Sequence, residues 1–172
     1  MALSGPSKPV RFIAAFNGYD GARHLEAKAP DYIHYEVLHP SPDGKYVAQV
    51  TVADAEITTI TIYRKKAGRQ LFVKREAVSP AIEGVSGAIW VPRHPHTLAY
   101  ATGSVYSWGS LGLWDGGKKV RILRRGKGPE EGFSLRGASA DGRTLVYENY
   151  GPGTIDPHYK RKGRLYWTLA GS

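Results

Sequence analysis

Apolar and polar positions alternate along most of this chain, the period expected of half-buried β-strands. Tyr32 to Leu38 reads as such a strand, and Tyr46 to Val52 as a second. Glu56 to Arg64 is a third, with Ile57, Thr59, Thr61 and Tyr63 on one face and Thr58, Ile60 and Ile62 on the other. Gln70 to Arg75 follows as a fourth. A second group of four comprises Gly87 to Val91, Thr97 to Thr102, Gly109 to Trp114 and Lys119 to Arg124. A third group supplies Ser134 to Ser139, Thr144 to Asn149 and Arg164 to Leu169. Ahead of all of them, Lys8 to Phe16 reads as an isolated strand. Asn17 to Pro30 is a Gly-, Asp- and Ala-rich loop, with a short helical turn expected around Ala22 to Lys28.

The groups are copies of one pattern. Ser41-Pro42-Asp43-Gly44-Lys45 turns into an apolar strand, and Ser139-Ala140-Asp141-Gly142-Arg143 does the same. Pro presets φ, while Asp and Gly supply the special geometry of a tight turn. A worn copy lies between them, with His94-Pro95-His96 standing where Asp-Gly-Lys is expected. Aligned on Ala48, Ala99 and Val146, the copies are 51 and 47 residues apart. A period near 50, with a turn feeding an apolar strand, marks a β-propeller blade. The expected blades span residues 32–76, 86–125 and 133–169. The third lacks an outer strand, and an unpaired edge is normally avoided. Residues 8–16 are the obvious closing strand.

Three blades are fewer than the about four to eight of natural rings. The expectation is therefore an all-β chain of three four-stranded propeller-type blades, half of a six-bladed ring closed by dimerisation. A piece of a longer propeller, or a sandwich or open barrel, are the alternatives.

Composition agrees with a globular all-β domain. Hydrophobic residues are 41% and charged residues 23%, ordinary values that argue against disorder beyond the ends. The 21 Gly, 11 Pro and 11 Tyr favour short strands joined by turns. With no cysteine, disulfides, thiolate metal sites and cysteine nucleophiles are excluded. No apolar run approaches the ~18 residues of a membrane helix, so no membrane insertion is expected. The first residues lack the apolar core of a signal peptide. The compartment is extracytoplasmic if a leader was removed, and cytoplasmic otherwise. A net charge of +9 favours acidic partners.

The two Asp-Gly-Lys/Arg turns, each feeding an apolar strand, resemble the repeats of TolB-like, WD40-like propellers over residues 32–169. The resemblance implies blade architecture and a largely bacterial, often extracytoplasmic family. Its members serve as binding scaffolds or as gating domains of serine peptidases. This chain has no Gly-x-Ser-x-Gly elbow, so the resemblance implies a binding module and no enzyme.

Candidate chemistry is sparse. His94 and His96 share a face if extended and would suit one metal, but Pro95 between them signals a turn. Asp43 and Asp141 are expected to cap turns through backbone hydrogen bonds. Asp156-Pro157-His158 contains an acid and a base but no visible nucleophile. Two basic clusters stand out: Lys118, Lys119, Arg121, Arg124, Arg125 and Lys127, then Lys160, Arg161, Lys162 and Arg164. With Tyr159, Tyr166 and Trp167 beside the second, they suit nucleic acid or another anion. Strict alternation puts Lys119, Arg121 and Leu123 on one face against Val120, Ile122 and Arg124, and a charged outer edge also guards against strand pairing. Tyr106, Trp108 and Trp114 belong either to a ligand-binding mouth or to core packing. The long insertion from Tyr150 to Gly163, containing Asp156, His158 and Tyr159, is a second candidate ligand loop.

The sequence therefore points to a non-catalytic scaffold, without cofactor or metal, that forms a homodimer and binds a protein, peptide or glycan. The alternative is a nucleic-acid or anion binder. A propeller-based hydrolase or lyase is the least favoured reading.

Overall fold

The computed structural model describes residues 11–16, 35–53, 57–65, 75–104, 107–128, 131–150 and 164–169. All regular structure among them is β, in thirteen strands. These are β1 (Phe12–Ala14), β2 (Tyr35–Pro40), β3 (Tyr46–Ala53), β4 (Ile57–Lys65), β5 (Arg75–Ala77), β6 (Ile82–Glu83) and β7 (Val85–Trp90). They continue with β8 (Leu98–Ser104), β9 (Ser107–Trp114), β10 (Val120–Arg125), β11 (Gly132–Ser139), β12 (Thr144–Tyr150) and β13 (Arg164–Leu169).

The strands form three antiparallel sheets, in the orders β2-β3-β4-β5, β10-β9-β8-β7 and β1-β11-β12-β13. Apart from β1, neighbours along these orders are also consecutive in sequence and antiparallel. The first sheet ends later than its pattern suggests. β5 and β6 both pair with β4, and between them Ser79 Oγ accepts the Ile62 N–H at 2.9 Å. The outer strand of that sheet thus lies over residues 75–83. Of the expected Gln70 to Arg75, only Arg75 is described.

The middle sheet is buried on both faces. One core joins it to the first sheet, through Tyr46, Ala48, Val50, Ile60 and Ile62 against Trp90, Leu98, Tyr100 and Trp114. The other joins it to the third sheet, through Ile89, Ala99, Ala101, Leu111 and Leu113 against Phe133, Leu135, Leu145 and Tyr147. Strand alternation drives this division. In β8, Leu98 and Tyr100 face the first sheet while Ala99 and Ala101 face the third. Removing each fully buried Leu from water contributes about 2 kcal/mol. The small residues set the spacing. A Cβ at Gly112 would come within 2.4 Å of the Tyr100 hydroxyl, so the missing side chain makes room for that ring.

The N-terminal strand joins the third sheet, but not at the edge where a strand was missing. β1 pairs with β11, the first strand of that sheet, and not with β13. The segment then crosses to the middle sheet, where Phe16 and Ala88 exchange two backbone hydrogen bonds of 2.8 Å. The Phe16 ring stacks on His39 of β2, with centroids 3.7 Å apart. Residues 11–16 therefore tie together the leading strands of all three sheets. The physical reason is close approach: a Cβ at Gly137 would lie 2.3 Å from the Ile13 carbonyl oxygen, so only glycine lets the strand settle there. Residues 8–10, and the helical turn expected near 22–28, lie outside the described residues.

Candidate binding surfaces

The repeated turns lie side by side, each touching the next. In the first, Ser41 Oγ accepts the Tyr46 N–H at 3.0 Å and donates to Asp43 Oδ1 at 2.8 Å. The same carboxylate oxygen accepts the Lys45 N–H at 3.1 Å. The third turn repeats this: Ser139 Oγ accepts from Thr144 N–H and donates to Asp141, which also accepts the Arg143 N–H. Asp43 and Asp141 thus cap turns, as their place before Gly suggests. Gly44 and Gly142 adopt φ of 71° and 74°, which side chains other than glycine's rarely reach. In the middle copy Arg93 takes the left-handed conformation, at φ 62°.

The worn turn bridges its neighbours. His96 Nε2 lies 2.7 Å from Asp43 Oδ2, and its ring meets Tyr46 edge-on at 5.2 Å. On the other side, a Cβ at Gly142 would come within 1.9 Å of the Pro92 carbonyl oxygen and 2.9 Å of the His94 ring. His94 and His96 therefore lie against different turns. The carboxylate that His96 meets is far away in sequence, and only the stacking of the turns brings it there. Desolvation raises the Asp43 carboxyl, but hydrogen bonds from Ser41, Lys45 and His96 outweigh it and hold the group at about 2. Asp141 is lowered too, by Ser139 first and then by Arg143. No group of three or more metal-ligating side chains occurs among the described residues.

The second surface is the edge strand β10, which pairs only with β9 among the described residues. Lys118, Lys119, Arg121, Arg124, Arg125 and Lys127 are all exposed. The pairing corrects the expected faces. Arg121 lies opposite Leu113, but a bulge at Leu123 puts Arg124 opposite Leu111 and Arg125 opposite Ser110. Arg124 therefore shares a face with Arg121, and Arg125 joins Val120 and Ile122. The bulge arises because Leu123 is pulled onto the core between the second and third sheets. Below the strand, Glu131 accepts the Lys127 N–H and a 2.9 Å hydrogen bond from Asn149 Nδ2. Those bonds, Asn149's first, lower its carboxyl. Tyr100 is pushed up to about 12 by burial, with Arg125 opposing.

The remaining sequence candidates divide. Trp114 is fully buried, edge-on to Tyr46 at 5.0 Å and to Trp90 at 6.2 Å, with Nε1 donating to the Gly117 carbonyl at 2.6 Å. Of its two readings, core packing is the one the structure shows, because Trp114 lies in the core between the first and second sheets. Trp108 sits in β9, and Tyr150 ends β12 opposite Gly132. Tyr106, Asp156, His158, Tyr159, Lys160, Arg161 and Lys162 lie outside the described residues. Searches against family models, curated proteins and solved structures find no match to this chain.

Proposed function

We propose that this chain is a non-catalytic binding module of propeller type, whose partner is an anionic extended chain laid along β10. The observation that carries this reading is the exposed basic edge. A strand with a free edge offers backbone donors and acceptors for strand addition. The bulge at Leu123 brings Arg124 onto the face of Arg121, with exposed Lys119 just ahead of the strand. The carboxylates with lowered titration, Asp43, Glu131 and Asp141, each hold a turn or loop in shape, which supports a scaffold over an active site.

An acidic protein or peptide segment fits best, since β-strand addition supplies main-chain affinity and the arginines add charge. A second reading, single-stranded nucleic acid, draws on the same row. Successive outward positions along a strand are about 7 Å apart, close to the spacing of backbone phosphates. Titration with a labelled acidic peptide and a labelled oligonucleotide separates the two. For the oligonucleotide, log affinity falls with log salt at about −0.7 per phosphate neutralised. Binding of neither probe, or equal binding by the Arg121→Ser, Arg124→Ser double variant, refutes the proposal.

A further inference from the structure

We infer that the two outer faces of the stack are halves of one self-complementary interface, filled by a second copy of this chain. This rests on the propeller-type reading above and extends it to the partner that closes the ring.

The repeat alignment defines a leading face on each sheet. Ala48, beside Tyr46 and Val50, is buried against the second sheet. Ala99, beside Ala101, is buried against the third. Val146 occupies the matching position in the third sheet. It lies on the opposite face of β12 from buried Leu145 and Tyr147, and it is half-exposed. The β12–β13 register puts Trp167 opposite Val146, Leu169 opposite Thr144 and Leu165 opposite Glu148. The Arg136–Glu148 ion pair borders Val146 on this face. No following sheet meets it among the described residues.

The trailing face of the first sheet has no preceding sheet against it among the described residues. Leu98 and Tyr100 of the second sheet, and Leu145 and Tyr147 of the third, are buried against the preceding sheet. Their counterparts in the first sheet are Val47, which is buried, and Gln49, which is half-buried. The row Leu38, Gln49 and Thr61 is half-exposed, with no preceding sheet among the described residues.

The turns carry an independent sign of the same vacancy. Gly142 is closed over by the Pro92 carbonyl of the preceding turn. Gly44 has the same motif and the same φ, yet a Cβ there would meet nothing within 4 Å. A preceding turn is what that space fits. Where Asp43 reaches His96 of the following turn, Asp141 would reach Lys45 of a second copy, so the charges are complementary. Two copies related by a two-fold axis place each leading face on the other's trailing face, and both vacancies close at once.

The test is the mass in solution of the native chain and of Val146→Arg and Thr61→Arg, one change on each face. Sedimentation over a range of concentrations reads the mass, and circular dichroism with a cooperative melt verifies folding. The native chain is expected at twice its 18.8 kDa mass, and each folded variant at half that value. A native monomer up to about 100 μM overturns the inference. So does a dimer that neither variant dissociates, or one that only a single variant dissociates. A monomer that still binds the acidic peptide through β10 overturns this interface alone and leaves the binding module standing.

Discussion

Asp43 and His96, 53 residues apart in the chain, meet at 2.7 Å and join the first turn to the second. Lys45 Nζ, 3.9 Å from the same carboxylate, is largely exposed and adds little. Asp43 titrates at about 2, below its ordinary 3.8. A depressed carboxylate contributes stability above its unfolded value and loses it as pH falls through the folded one. Asp43→Asn is therefore expected to melt below the native protein at neutral pH. The gap should shrink between about pH 4 and pH 2, because Asp141 and Glu131 titrate alike in both proteins. An NMR titration of His96→Ala should show the Asp43 carboxyl moving up. An unchanged midpoint there means the His96 contact contributes nothing.

Gly44 and Gly142 separate backbone strain from steric closure. Alanine at either position enters the left-handed region, at about 1–2 kcal/mol. At Gly142 the new Cβ also strikes the Pro92 carbonyl, and overpacking adds about 1–3 kcal/mol. Denaturant melts of Gly44→Ala and Gly142→Ala should therefore rank the second as clearly less stable. Equal losses would mean the second and third turns do not touch.

Leu111 and Trp114 face opposite sides of the middle sheet, one in each core. Leu111→Ala is expected to cost about 2–5 kcal/mol and Trp114→Ala about 3–5 kcal/mol. Because the two cores have no residue in common, the double variant should lose close to the sum, within about 0.5 kcal/mol. Urea unfolding of the three variants measures this, and a large positive or negative coupling would show that the cores are not independent.

Leu123 sets the arginine faces. Replacing it with threonine removes the apolar anchor that holds the bulge on the core, and simple alternation then returns Arg124 to the face of Val120 and Ile122. The variant keeps its net charge yet should bind an acidic peptide or oligonucleotide several-fold more weakly. The salt slope should drop by about one phosphate contact for an oligonucleotide. Fluorescence anisotropy at two salt concentrations measures both. Native affinity in Leu123→Thr would mean that charge alone, and not its alignment, governs binding.

The sequence by itself determined most of the strands, though not the outer strand of the first sheet, and their grouping into three antiparallel sheets. It determined the capped turns as well, since alternation and the Ser-x-Asp-Gly pattern act over a few residues. The faces of β4 followed directly, because Ile60 and Ile62 alternate with Thr59 and Thr61 without interruption. Tertiary structure decided the rest. It placed β1 against β11, where Gly137 admits a backbone, and drew Leu123 into the core so that the arginine row shifted by one. It also set His96 on Asp43 and sank Trp114 between two sheets. Each of these depends on which sheet lies against which, and a chain's local pattern carries no term for contacts between residues 50 positions apart.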